Sequence, residues 1–283
     1  MDALAQGIEL QQQGKYEEAI PFLEQAVQAN IASYDGWTRL SESLLEAGKH
    51  DKASVAIEQA LDKNQRYAPA WLVKAHILEQ QNRPEQAIDA YNAAIQADPN
   101  VVEAYLQKAL ILDSEHRQQE ALTVLDQALR VDSAAMEVLI NKARILCEEQ
   151  VYLQALPVAD RLTRLYPGDG RGWRTKALAL FMIRERVDAE QAINKALEID
   201  PNDSDALTIK AGIIDEMGRK GEARALLKRA TEVDPHNELA QEARGQMQRE
   251  RNSKVADASV GIAGTVSRGF FAVLVEFIKA IFQ

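Results

Sequence analysis

The chain has 283 residues, 46% of them hydrophobic and 27% charged, with only 14 Gly and 8 Pro. Collagen, low-complexity disorder and a disulfide scaffold are excluded, because Cys147 is the single cysteine and can form no internal bridge. A formal charge of −10 argues against nucleic acid as a partner, since phosphate binding needs an excess of Lys and Arg. Met1-Asp2-Ala3-Leu4 lacks the basic and apolar stretches of a secretory leader, and the lone thiol suits a reducing compartment, so the expected location is the cytoplasm.

Along the chain, helix-favouring Ala, Leu, Glu, Gln, Lys and Arg recur in columns spaced by 34 residues. A large side chain returns at Trp37, Trp71, Tyr105, Leu139, Trp173 and Leu207. Four positions later comes a small one: Gly7, Ser41, Ala75, Ala109, Ala143, Ala177, Ala211 and Gly245. Three further on is an aliphatic one, from Leu10 and Leu44 to Leu180 and Ile214. These spacings put all three columns on one face of a first helix. A second helix follows in each unit, with Ala19, Ala53, Ala87, Ala121, Ala155, Ala189 and Ala223 as its first small column. Small residues permit close helix approach and large ones fill the gaps.

Gly14, Gly48 and Gly218 mark turns between paired helices, while Pro99, Pro167, Pro201 and Pro235 close units. Asp98-Pro99-Asn100, Asp200-Pro201-Asn202 and Asp234-Pro235-His236-Asn237 are each expected to end one helix and can cap the next. Pro21 and Pro157 share one column inside second helices and should each remove a backbone hydrogen bond. Repeat five exchanges sizes, with Ala159 where a large residue is usual and Leu162 where Ala is usual, so that the two changes offset each other's volume.

These columns closely resemble the tetratricopeptide repeat, over seven uninterrupted repeats in residues 1–237. The resemblance implies an all-α fold, a right-handed superhelical solenoid of antiparallel helix pairs. Residues 238–252 continue the frame with Gln241 and Gln248 in place of large and aliphatic residues, which fits a polar capping helix.

No catalytic, cofactor or metal-binding set emerges, so a non-enzymatic protein is expected. His50, His76, His116 and His236 share no helix face, and Cys147 lies beside Glu148 and Glu149, which disfavour a thiolate. Gly168-Asp169-Gly170-Arg171-Gly172 lacks the preceding strand of a phosphate loop and reads as a turn. Two basic features stand out. Lys74, Lys108, Lys142, Lys176, Lys210 and Arg244 form a ladder, with Asp98, Asp132, Asp200 and Asp234 ten residues before four of them as candidate partners. Arg161, Arg164, Arg171, Arg174, Lys176, Arg184 and Arg186 face only Asp169 and Glu185 within 161–186.

The family resemblance implies a concave surface of first helices that holds a partner's peptide or helix. Arg39, His76, Asn141, Arg144, Arg171 and Arg174 are the expected groove contacts, and the local positive excess points to an acidic segment. The leading expectation is therefore a protein-interaction scaffold or adaptor. Residues 253–283 form a third segment, read as an amphipathic C-terminal helix with an apolar face at Phe270, Phe271, Leu274, Phe277 and Ile281. Through residues 255–282 that face opens two further expectations, self-association or attachment to a membrane surface as a peripheral assembly factor.

Overall fold

The computed structural model describes residues 2–29 and 34–260, with side chains described except at 250, 251 and 253–260. Among the described residues every regular element is an α-helix. The described residues fall into two compact units that divide between Ala135 and Met136.

The N-terminal unit contains α1 (Ala3–Gln12), α2 (Tyr16–Gln28), α3 (Tyr34–Glu46), α4 (His50–Lys63), α5 (Ala68–Gln80), α6 (Pro84–Ala97), α7 (Val102–Ser114) and α8 (Gln118–Val131). Odd-numbered helices are first helices and even-numbered ones second helices. Each of α2, α4 and α6 packs between the first helices that precede and follow it, while α3 also touches α1 and α5. The C-terminal unit contains α9 (Met136–Glu148), α10 (Tyr152–Leu165), α11 (Gly170–Met182), α12 (Arg186–Ile199), α13 (Ser204–Glu216), α14 (Lys220–Val233) and α15 (Glu238–Val260). It repeats the plan, with α11 touching α9 and α13, and α13 touching α15. In both units the first helices are thereby gathered side by side.

The small column explains this packing. Ser41, Ala75, Ala109, Ala143, Ala177 and Ala211 have no exposed surface, and Ser41 Oγ donates to the Ala53 carbonyl at 2.7 Å. At Gly7 even a methyl is too large, because a Cβ there would lie 2.6 Å from Leu23 Cδ2. The large column has a second role that periodicity does not show. Trp71 Nε1 donates to the Gln65 carbonyl at 2.8 Å, Tyr105 Oη to Pro99 at 3.2 Å and Trp173 Nε1 to Pro167 at 2.9 Å. Each bond ties a first helix to the turn six residues before it. Gln241 stands in this column and makes the same bond to the Pro235 carbonyl. On the other side of α15, Leu239, Ala240, Ala243 and Met247 are buried. The helix runs unbroken across residue 252, where the sequence places the change from cap to tail.

Every turn within a helix pair has the same hydrogen-bond pattern. Lys15, Lys49, Arg83, Arg117, Val151, Glu185 and Arg219 donate their N–H to the carbonyls of Leu10, Leu44, Leu78, Leu112, Leu146, Leu180 and Ile214 at 2.8–3.0 Å. This is the six-to-one bond of a Schellman turn, which needs a left-handed residue just before the donor. Gly14, Gly48 and Gly218 supply it, but so do Asn82, His116, Gln150 and Arg184 at φ between 55° and 73°.

Between units of the repeat, the residue that closes the turn and the residue that caps the next helix are different ones, and in Asp234-Pro235-His236-Asn237 both belong to the expected stretch. Asp98, Asp200 and Asp234 accept from the N–H two residues on, at 2.9 Å, and so close the turn itself. The caps of the next helices are Asp203, which accepts from Ala206 N, and Asn237, which accepts from Ala240 N. An Asp placed before the proline lies too far back to reach the first free N–H groups of the next helix. Pro21 and Pro157 lie inside α2 and α10 on exposed positions, and each withholds one backbone donor from its helix.

Candidate functional site

In the N-terminal unit the first helices carry a connected polar network. Asp35 takes an ion pair from Arg39 at 3.0 Å and a hydrogen bond from Tyr67 Oη at 2.9 Å. Burial and the Asp35 bond push the Tyr67 phenol up to about 12. Gln11 Nε2 donates to the Arg39 carbonyl, to Glu42 and to Ser43 Oγ, bracing α1 against α3. Burial raises the Glu42 carboxyl above the ordinary carboxylate range, against the opposing pull of Arg39. His76 packs edge-on to Tyr91 at 5.9 Å and stands 3.9 Å from Glu103, while Tyr91 Oη donates to Glu79. Of the expected contacts, Arg39 and His76 therefore share this face, and both are already engaged by carboxylates.

In the C-terminal unit the arginines are held in the same way. Arg144 pairs with Glu148 and reaches Asn141 Oδ1 at 3.4 Å; Asn141 itself donates to the Glu137 carbonyl at 2.9 Å. Arg171 bridges Asp169 at 2.7 Å and Glu137 at 3.1 Å, and Arg174 bridges Asp203 at 2.9 Å and Asp205 at 3.1 Å. Arg184 and Arg186 converge on Glu216 at 2.9 and 2.8 Å. The positive excess read between 161 and 186 is thus answered by carboxylates about 30 residues away in sequence. Arg161 and Arg164 stand apart on the second helix α10. Asp169 is the N-cap of α11 and accepts from Arg171 N, so the Gly-rich stretch is a helix-starting turn. The Arg171 guanidinium also holds the Asp169 carboxyl below its usual range.

Three residues of the lysine ladder find partners on the preceding second helix. Lys74 pairs with Glu58 at 2.8 Å, Lys176 with Asp160 at 2.7 Å, and Lys108 donates to Asn92 Oδ1 at 2.7 Å. All three partners lie 16 residues back; for Lys108 this is Asn92 rather than Asp98, ten back at the turn. Lys74 and Lys176 also lie over the rings of Trp71 and Trp173, at 5.1 and 5.6 Å. Their stems cover the large column and their charges clamp neighbouring repeats, as aliphatic-stemmed cations do at such boundaries. These contacts floor two recesses on the second-helix side, of about 450 Å³ at Trp71 and about 620 Å³ at Trp173.

Cys147 is buried, and burial together with Glu148 pushes its thiol up to about 12. Among the described residues no group of three or more His, Cys, Asp or Glu is placed to hold a metal ion, and no helix is long and apolar enough to cross a membrane. The tail residues Phe270, Phe271, Leu274, Phe277 and Ile281 lie outside the described residues.

One tetratricopeptide-repeat family model matches residues 4–53, 38–102 and 150–204, more than half of the chain, and a second matches 185–247. The chain belongs to the tetratricopeptide repeat family. Within residues 103–149, between the matched stretches, α7, α8 and α9 supply the same columns of the repeat, with Ala109 and Ala143 fully buried. Comparison with curated proteins finds no match. Solved tetratricopeptide-repeat structures do match. The C-terminal part of a repeat protein from Cytophaga hutchinsonii is 20% identical, with a TM-score of 0.70 over 84% of this chain and 98% of that one. PilF of Pseudomonas aeruginosa is 19% identical, with a TM-score of 0.61 over 75% of this chain and 97% of that one. YrrB, described as a TPR protein with an unusual peptide-binding site, is 21% identical, with a TM-score of 0.57 over 67% of this chain and 98% of that one. At these identities the likeness is one of fold.

Proposed function

We propose that this chain is a protein-interaction scaffold whose first-helix faces hold a segment of a partner protein, either an extended peptide or a helix. The observation that carries the reading is the set of apolar side chains left half-exposed on first helices. Leu45, Leu72, Leu106 and Leu110 sit beside Arg39, Glu42 and His76, although the small and large columns already close the core. Such a mixture of apolar anchors and oriented polar groups is what segment recognition uses. That YrrB has a peptide-binding site supports the same reading.

On the C-terminal unit the contacts are Asn141, Arg144, Arg171 and Arg174, and the segment they suit carries Asp or Glu. Asp169 and Asp203 hold Arg171 and Arg174 in place, with side chains 18% and 16% exposed. The outer partners Glu137 and Asp205 are about half exposed, and an incoming carboxylate can take their places at the same guanidinium groups. The test is a photo-crosslinking residue at position 72, compared with one at Leu153 on the second helix α10, in the native host. A partner should crosslink from position 72 and not from position 153. Crosslinks confined to position 153, or equal at both, would overturn the reading.

A further inference from the structure

We infer that the first-helix face of the N-terminal unit selects a basic, amphipathic protein segment, with Lys or Arg set between apolar anchors. The inference rests on the scaffold reading and adds the chemistry of the partner for this half of the chain. Three observations on one face carry it.

The first is charge. Asp35, Glu42, Glu46, Glu79 and Glu103 all belong to α3, α5 and α7, against the guanidinium of Arg39 and the imidazole of His76 on the same face. The contacts join them. Gln11 links Arg39 to Glu42, Glu42 feels both Glu46 and His76, and His76 meets Glu103. The guanidinium of Arg39 is already bonded to Asp35, so the face keeps a surplus of carboxylates. The second observation is the supply of acceptors. The Gln11 amide N–H groups are shared among Arg39, Glu42 and Ser43, so Gln11 brings no free donor to this face. Ionised carboxylates can only accept, so the missing component is a donor. Glu42 makes the same point, since burial already disfavours its negative charge and an ammonium or guanidinium would relieve it. The third is the half-exposed apolar set Leu45, Leu72, Leu106 and Leu110 between these acceptors, which a bare cation would leave uncovered. A segment with both properties covers both.

The experiment uses the full chain and two labelled synthetic peptides, each about five helical turns long and of one amphipathic pattern, built from Leu with either Lys or Glu. Fluorescence anisotropy should show the Leu/Lys peptide binding at least about ten-fold more tightly, with affinity falling as salt rises. The combined variant Glu42→Gln, Glu46→Gln, Glu79→Gln and Glu103→Gln, with unchanged far-ultraviolet circular dichroism, should lose most of that binding. Neutralising Glu18, Glu24, Asp62 and Asp89 on second helices, as Gln or Asn, should leave it nearly intact. Equal losses from the two sets would show attraction to net charge alone and overturn the inference. So would equal binding of the two peptides, or no binding of the Leu/Lys peptide. A native partner that crosslinks at position 72 but contains no basic segment would overturn this inference while leaving the scaffold reading in place. Specific Leu/Lys binding with no crosslink at position 72 would do the reverse.

Discussion

Leu162 of α10 lies against the backbone of Gly172 on α11, so closely that a Cβ on Gly172 would sit 2.6 Å from Leu162 Cδ2. The large side chain that repeat five carries in a small column is therefore accommodated by the next first helix. Ala159, the other departure in that repeat, is fully buried. Gly172→Ala should destabilise the protein by about 1–3 kcal/mol through overpacking, and Leu162→Ala by about 2–5 kcal/mol through a cavity. Because the two touch, the double variant should lose less than the sum, by about 0.5–3 kcal/mol in chemical denaturation. Additive losses would show that the contact is not the constraint.

The four non-glycine residues in left-handed turns make a second prediction. Asn82, His116, Gln150 and Arg184 stand where Gly14, Gly48 and Gly218 stand in other repeats, with the same Schellman bond behind them. An L side chain in this region costs about 1–2 kcal/mol, least for Asn, and glycine returns part of that as chain entropy. Gln150→Gly should stabilise by about 1 kcal/mol, and Gly48→Ala should destabilise by a similar amount. Arg184→Gly should gain less, because it also breaks the ion pair with Glu216 at 2.9 Å. Thermal melts of the three variants would check the order.

Glu42 makes stability depend on pH. Burial raises its carboxyl above 4.5 in the folded chain, so the folded state holds this proton more tightly than the unfolded state. The resulting stabilisation is complete below pH 4.5 and is lost as pH rises through the folded value. Glu42→Gln keeps an acceptor for Gln11 and removes the charge. It should therefore raise the melting temperature at pH 7, and that gain should shrink as pH falls through the raised folded value and be gone below about 4.5. A gain independent of pH would point to side-chain packing instead.

Cys147 should be chemically silent in the folded protein. It is 3% exposed, and its thiol is pushed up to about 12, so almost no thiolate forms at neutral pH. An alkylating reagent at about pH 8, a condition ordinary for free thiols, should modify it at the rate of unfolding and much faster in denaturant. Prompt reaction of the native protein would contradict its placement.

The sequence by itself determined the helices, their pairing and the buried columns, because in a stacked repeat the same burial recurs and leaves the same residue sizes every 34 positions. Ala109 and Ala143 could be placed in the core from spacing alone, and they are fully buried. The destinations of the charges were decided only in the tertiary structure. Lys74 finds Glu58 across a repeat boundary, Arg174 finds Asp203 at a distance of 29 residues, and Glu216 gathers both Arg184 and Arg186. The 16-residue step from Lys74 to Glu58 recurs at Lys108 and Lys176, but spacing alone does not select it, since a long side chain chooses among several neighbours brought within reach by stacking, and a rotamer settles the choice. For the same reason Arg39, His76, Arg144, Arg171 and Arg174 were legible as exposed first-helix positions, but not as groups already oriented by carboxylates. The surplus of acceptors on the N-terminal face became visible only when those pairs were drawn off.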